Sequence, residues 1–263
     1  VLWHNKELKA VDKNSFRNID GLPLFDVDYQ PLIGKIRGLL INSSTGDIVY
    51  DTKDEGYKIK AFNVYPDQAC ILFELERKSI QSLMKFSLKA WEKEWISDIG
   101  EVKGLLNKAK GMAINQSFIG HGPFFTNKNQ LVAGLKSQIV SLNFETGKLD
   151  WQQETKKKIK ALVYSELNDK VYLGVRGSKK LTVLQPATGE DITPGKLKLR
   201  GSLLDVLPDA NNNLILVETE GFNLIDPKTE DFVWKKSYKI DYLDEVIPYG
   251  DQFIAIGKDE KNG

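Results

Sequence analysis

Short apolar runs recur along the whole chain, each set off by a cluster of turn-forming residues. Gln68–Leu75, Lys170–Val175, Asn213–Val217 and Gln252–Ile256 are such runs. Asp67, Asn168-Asp169, Asn211-Asn212 and Gly250-Asp251 punctuate the chain just before them. Runs of five to eight residues bounded in this way read as buried strands. No convincing long helix is present, so the pattern predicts an all-β protein.

A second pattern is phased with the first. Ser141-Leu-Asn-Phe-Glu-Thr-Gly-Lys-Leu-Asp-Trp151 ends a strand in a polar turn, with Gly147 in the turn and Trp151 four residues on. Ile41–Tyr50 repeats it with Gly46 in the turn and Tyr50 in the aromatic slot. Ile225–Trp234 repeats it with Glu230 in place of glycine, and Leu184–Thr193 keeps Gly189 but has Thr193 in the slot. A weaker copy, Phe86–Trp95, keeps Trp95 and carries Trp91 where glycine is expected. A hairpin needs a residue with positive φ at that place, which glycine supplies without steric cost. An aromatic on the outgoing strand can cover a neighbouring sheet with a large apolar face. The slots at 50, 95, 151, 193 and 234 are 45, 56, 42 and 41 residues apart. Propeller blades of four strands run at about 40–50 residues. Lys58-Ile-Lys-Ala-Phe62 and Lys158-Ile-Lys-Ala-Leu162 are near-identical openings, and Glu101-Val-Lys-Gly-Leu105 resembles them.

The expected architecture is therefore a β-propeller of four-stranded antiparallel blades, forming one domain over residues 1–263. The blades read as 22–50, 58–95, 101–151, 158–193 and 200–234. A sixth, closing blade is expected from 241–258 together with 1–20, where Leu8–Ser15 looks like a third strand and turn and Trp3 belongs to the same blade. Such closure would leave no open sheet edge. The alternative is part of a seven- or eight-bladed propeller.

The Thr-Gly-x-x-x-Trp pattern at 146–151, with relatives at 45–50 and 188–193, resembles the repeats of pyrroloquinoline-quinone dehydrogenases and their non-enzymatic cousins. The enzymes of that family carry the quinone in the central channel with calcium, an acidic base and commonly a vicinal cysteine pair. The cysteine pair cannot exist here, because Cys70 is the one cysteine. The resemblance thus points to the non-enzymatic branch, which includes propeller lipoproteins of outer-membrane assembly. It implies a non-catalytic scaffold that binds a protein partner through face loops, in an extracytoplasmic compartment. The alternative function is a small-molecule or degenerate quinone-type ligand in the channel.

Composition narrows the classes further. The 37 basic and 36 acidic residues leave a net charge of +1, which gives no broad electrostatic footprint for nucleic acid or an anionic membrane. With two histidines, His4 and His121, and one cysteine, neither a metal site nor a cofactor is expected. No apolar stretch approaches the roughly 18 residues of a membrane span. The chain opens on Val-Leu-Trp without Met or signal peptide, so a mature or excised segment is expected, monomeric in solution.

Two features stand outside the repeat. The 56-residue interval places an insertion at 107–129, where His121 lies between two glycines ahead of Pro123, Phe124 and Phe125. It reads as an exposed loop offering His121, Phe124 and Phe125 to a partner. The competing reading packs both phenylalanines under the insertion, with His121 bonded locally. Trp91 either folds back on its own blade or projects as a contact anchor.

Overall fold

The computed structural model describes residues 3–34, 36–53, 55–101, 117–195, 197–237, 242–249 and 252–258, and the chain divides into two compact units, 1–118 and 119–263. The first unit holds two four-stranded sheets. One comprises β1 (Arg17–Ile19), β2 (Leu24–Tyr29), β3 (Arg37–Asn42) and β4 (Ile48–Asp51). The other comprises β5 (Lys58–Tyr65), β6 (Cys70–Arg77), β7 (Ile80–Ser87) and β8 (Glu92–Glu101). The second unit begins with β9 (His121–Phe125), β10 (Gln130–Gly134), β11 (Gln138–Asn143) and β12 (Leu149–Glu154). A three-stranded sheet follows, of β13 (Ile159–Ser165), β14 (Lys170–Val175) and β15 (Leu181–Leu184). Next come β16 (Leu203–Pro208), β17 (Leu214–Glu218), β18 (Gly221–Asp226) and β19 (Asp231–Ser237), then the pair β20 (Tyr242–Tyr249) and β21 (Gln252–Lys258). Each sheet is an antiparallel meander in chain order, and together they are the blades of a β-propeller.

The strands sort by burial as their sequences dictate. Second and third strands carry near-continuous apolar runs and are covered on both faces; β6, Cys-Ile-Leu-Phe-Glu-Leu, is buried through its first six residues. Outer strands alternate or lie open, as in β12, Leu-Asp-Trp-Gln-Gln-Glu. Burying each Leu, Ile or Phe of these runs contributes about 1.5–3 kcal/mol. Among the described residues of the first unit, clusters form around Ile71, Phe73, Met84 and Phe86 and around Phe25, Val27, Leu39 and Ile41. In the second unit, clusters centre on Tyr172 and Leu216, on Val132 and Leu162, and on Val217 and Phe222.

The first strands β5, β9, β13, β16 and β20 share an irregularity that β1 lacks. The register shifts opposite Lys60 in β5, Lys160 in β13, Leu204 in β16 and Asp244 in β20. In β9 it shifts across Gly122-Pro123. Each is a β-bulge, which twists the strand and releases a backbone carbonyl from the ladder.

Three expectations are corrected. Residues 10–19, expected in the closing blade, lie in the first sheet. They form the first lane of the first sheet: Arg17–Ile19 pairs with Leu24–Asp26, and Val11 bridges Tyr29 farther along the same strand. The Asp12–Ser15 turn interrupts that lane, so Leu8–Ser15 is not a third strand. His121–Phe125 is a strand, not a loop, because β10 supplies a ladder partner for it; residues 102–116, which include part of the expected insertion, lie outside the described residues. The 158–193 blade has three strands, and its fourth lane is reduced to a Leu184–Asp191 bridge and an Ile192 N–H bond to Val183 O.

Candidate protein-binding surface

The repeated hairpin turn is the same object in five places. The N–H of Gly46, Trp91, Gly147, Gly189 and Glu230 donates to the carbonyl of Asn42, Ser87, Asn143, Gln185 and Asp226, at 2.7–2.9 Å. All five residues have positive φ, from 55° at Glu230 to 79° at Gly46. Trp91 and Glu230 therefore adopt the left-handed conformation that glycine favours, which costs a side-chain-bearing residue about 1–2 kcal/mol. The slot aromatics Tyr50, Trp95, Trp151 and Trp234 pair with Leu40, Lys85, Ser141 and Leu224, each one residue beyond a bulge.

What the slot residue does is clearest at Trp151. Its indole N–H donates to Pro186 O at 2.6 Å, and its ring lies flat against Gly189 of the following sheet. A Cβ on Gly189 would stand 2.8 Å from that ring. Gln153 adds a bond from its side-chain amide to Gly189 O at 2.5 Å. Where the slot is Thr193, the hydroxyl instead accepts from Val183 N at 2.8 Å, within its own blade. The following turn holds Glu230, which pairs with Lys170, while the Asn168 amide donates to Pro227 O at 2.6 Å. Pro227 occupies the second position of its turn, as Pro186 does, so Asn168 replaces the missing indole. Tyr50 and Trp91 form a similar mismatched pair: the Tyr50 hydroxyl donates to Glu55, which also pairs with Lys93 just beyond Trp91. Trp234 stacks on Phe253 at 6.2 Å and 14°.

Of the residues singled out as a partner-binding group, His121, Phe124 and Phe125 share β9 and Trp91 stands in the β7–β8 turn. His121 begins β9 and hydrogen-bonds the backbone of Ile159 in the next sheet; burial pulls its pKa down. Arg17 makes the corresponding contact in the first unit, donating to Ile59 O at 3.0 Å and Lys60 O at 2.7 Å. Phe124 packs on the Val132–Leu162 cluster, and Phe125 meets Phe144 edge-on at 5.0 Å. Trp91 is 38% exposed at its turn.

The most exposed apolar side chains lie elsewhere. Leu32 and Ile33, at the tip between β2 and β3, are 104% and 95% exposed, against the usual fate of large aliphatic residues. Their end of the first unit also carries two cation–π pairs, Arg37 over Tyr29 at 4.5 Å and Arg77 over Tyr57 at 4.7 Å. Arg37 Nε is buried with no acceptor, although the same side chain reaches Asp51 at 3.4 Å. The signal was in the sequence: Pro31-Leu-Ile-Gly34 is an apolar pair bracketed by turn formers. The hairpin places it at a tip.

Burial shifts titratable groups in the first and second strands. Asp26, buried and paired with Arg17 at 3.0 Å, has its carboxyl raised to about 6 because burial outweighs the guanidinium. Asp28 and Asp205 are raised too, chiefly by burial, the first near Lys58 and the second near His121 and Lys160. Burial pushes the Cys70 thiol up to about 11. Among the described residues no three His, Cys, Asp or Glu side chains are grouped to hold a metal ion, and no helix is long and apolar enough to cross a membrane.

Neither a protein-family model nor a curated protein sequence matches the chain. Solved structures do resemble it. The crystal structure of a mitotic checkpoint complex aligns at TM-score 0.52 and 10% identity, covering 91% of this chain and 68% of that one. BamB from Moraxella catarrhalis aligns at TM-score 0.48 and 14% identity, over 88% of this chain and 66% of its own. The chain thus spans about two thirds of the length of these neighbours. At such identities the likeness is one of fold, and that fold is the β-propeller.

Proposed function

We propose that the chain is a non-catalytic propeller that binds a protein partner, with the Leu32–Ile33 hairpin tip as the central contact. The exposure of that tip carries the reading. Two adjacent aliphatic side chains stand fully in water at the end of the paired strands β2 and β3. Arg and Tyr side chains, the types enriched in interface cores, flank them on the same end of the sheets. The fold likeness to a mitotic checkpoint complex, a protein assembly, supports a scaffold role. Trp91 lies at the opposite end of its sheet from the β6–β7 hairpin, so it is not part of this contact. An extracytoplasmic location is part of the same proposal, supported by the resemblance of the Thr-Gly-x-x-x-Trp repeats to exported propeller repeats.

A photo-crosslinking residue at position 32, in the cell of origin, tests the reading directly. The expected result is one dominant protein adduct that disappears when Ile33→Asp is added. A chain that folds normally but gives no protein adduct at 32, and co-purifies with a small molecule instead, overturns it in favour of a channel ligand.

A further inference from the structure

One end of the second unit's strands is basic. Lys136 stands in the β10–β11 turn, and Lys156, Lys157 and Lys158 in the link from β12 to β13. Arg176, Lys179 and Lys180 follow in the β14–β15 turn, with Lys198 and Arg200 just before β16. All nine are exposed. Backbone bonds lay these segments side by side: Ile159 N–H donates to Lys136 O and Arg176 N–H to Lys158 O, both at 2.9 Å, and Lys180 bridges Lys198. Among the described residues, the exposed carboxylates beside them are Glu154, which ends β12, Asp191 and Glu220. Asp191 pairs with Lys180 at 2.7 Å and Glu220 with Lys179 at 3.6 Å. Glu218 is 1% exposed and accepts the N–H groups of Arg200 and Gly201, so it faces inward. Lys136, Lys156, Lys157, Lys158, Arg176 and Lys198 form no ion pair with a described residue. Such cations on one contiguous surface repel one another, and a polyanion laid across them relieves that repulsion.

The opposite end of the same strands is acidic. Its turns hold Glu145, Glu166, Asp169, Asp209 and Glu230, with Lys128, Lys148 and Lys228 among them. The net charge of +1 thus conceals two opposed ends. We infer that the basic end is a docking surface for an acidic segment of a partner protein, a run of Asp and Glu side chains in an extended chain. Lysines outnumber arginines there by seven to two. Lysine is a hydrated point charge on a flexible stem, which suits carboxylates spread along a chain, whereas a compact phosphate group favours the arginine fork. Among the described residues of these segments no exposed aromatic ring stands ready to stack a base, and no helix or ribbon projects to enter a groove. Nor is an apolar side chain exposed there to anchor the surface in a membrane. This surface goes beyond the Leu32–Ile33 contact, which lies in the first unit, and stands without it.

Fluorescence anisotropy of a labelled peptide of alternating Glu and Ser, titrated with the full chain, is the test. The peptide is expected to bind at low salt, and its Gln–Ser counterpart at least about tenfold more weakly. Raising the salt to about 0.5 M should cost the acidic peptide a similar factor. Lys157→Glu with Lys158→Glu, in the middle of the band, should weaken binding at least about tenfold. Lys148→Glu with Lys228→Glu makes the same change in net charge at the opposite end and should leave binding within about twofold, as should Ile33→Asp. Should the central reversal unfold the chain, as circular dichroism would show, Lys136→Gln with Lys198→Gln only neutralises charge and is expected to weaken binding severalfold. Equal binding of the two peptides overturns the inference, as does equal loss from the two double reversals or no loss from the neutralised pair. Tighter binding of phosphatidylserine vesicles or of a single-stranded oligonucleotide overturns it in favour of a membrane or nucleic-acid surface.

Discussion

Two seams of the second unit solve one packing problem differently. Between β12 and the Gln185–Gly189 turn, an indole covers a glycine and bonds the turn carbonyl. Between the β13–β14 turn and the Asp226–Glu230 turn, no indole is present, the glycine is replaced, and Asn168 with the Lys170–Glu230 pair holds the contact. The difference explains why two turn positions break the glycine pattern. Conformation alone favours glycine at all five, but only a docked tryptophan forbids a Cβ. Where the opposing slot is Thr193 or Tyr50, a side chain fits, and the remaining cost is the left-handed backbone.

The sharpest way to break the comparison is at the tryptophan seam. Trp151→Ala is expected to lower stability by about 3 kcal/mol, through lost apolar contact and an unanswered Pro186 carbonyl. Gly189→Ala should approach that loss, since the new Cβ and the rigid ring compete for one space; urea unfolding of both variants measures it. A next effect concerns the charged contact of Arg17 with Asp26. The folded carboxyl, at about 6, lies above its unfolded value of about 3.8, so the fold prefers the protonated form. Its contribution is complete below about pH 4 and is lost as pH rises through 6, roughly 3 kcal/mol in all. Asp26→Asn should flatten the stability–pH curve between those limits, whereas Trp151→Ala should leave its slope unchanged.

At the polar seam, Asn168→Ala is expected to cost about 1–2 kcal/mol with little dependence on salt. Glu230→Gln should cost about 1 kcal/mol at low ionic strength and less at 1 M salt, where the partly exposed pair is screened. Denaturation at the two salt concentrations distinguishes them. The smallest effect has the opposite sign. Trp91→Gly is expected to stabilise by up to about 1 kcal/mol, because it relieves the left-handed backbone and gives up a half-open side chain.

The sequence made the repeat legible because its turn and slot residues are local demands of backbone and ring. Gly46, Gly147 and Gly189 have the positive φ their turns require, and the second strands fall within two residues of the apolar runs. It hid whatever depends on a partner strand. His121-Gly-Pro-Phe-Phe looks like a loop until β10 pairs with it, and Leu8–Ser15 looks like a third strand until β2 takes it as an interrupted first lane. Thr193 and Glu230 read as two separate degeneracies, since nothing in one dimension places one blade's slot on the next blade's turn. The tip at Leu32–Ile33 escaped for the same reason: an apolar pair announces burial, and only the hairpin denies it.

The matching of slot to turn makes each seam a lock with its own key. A blade grafted with its Trp but set before a Glu230-type turn would meet a side chain where it needs a bare backbone. A Thr193-type blade set before a Gly189-type turn would leave a shelf uncovered and a carbonyl dry. Rearranging such a protein therefore means cutting through the middle of blades, so that every slot travels together with the turn that receives it.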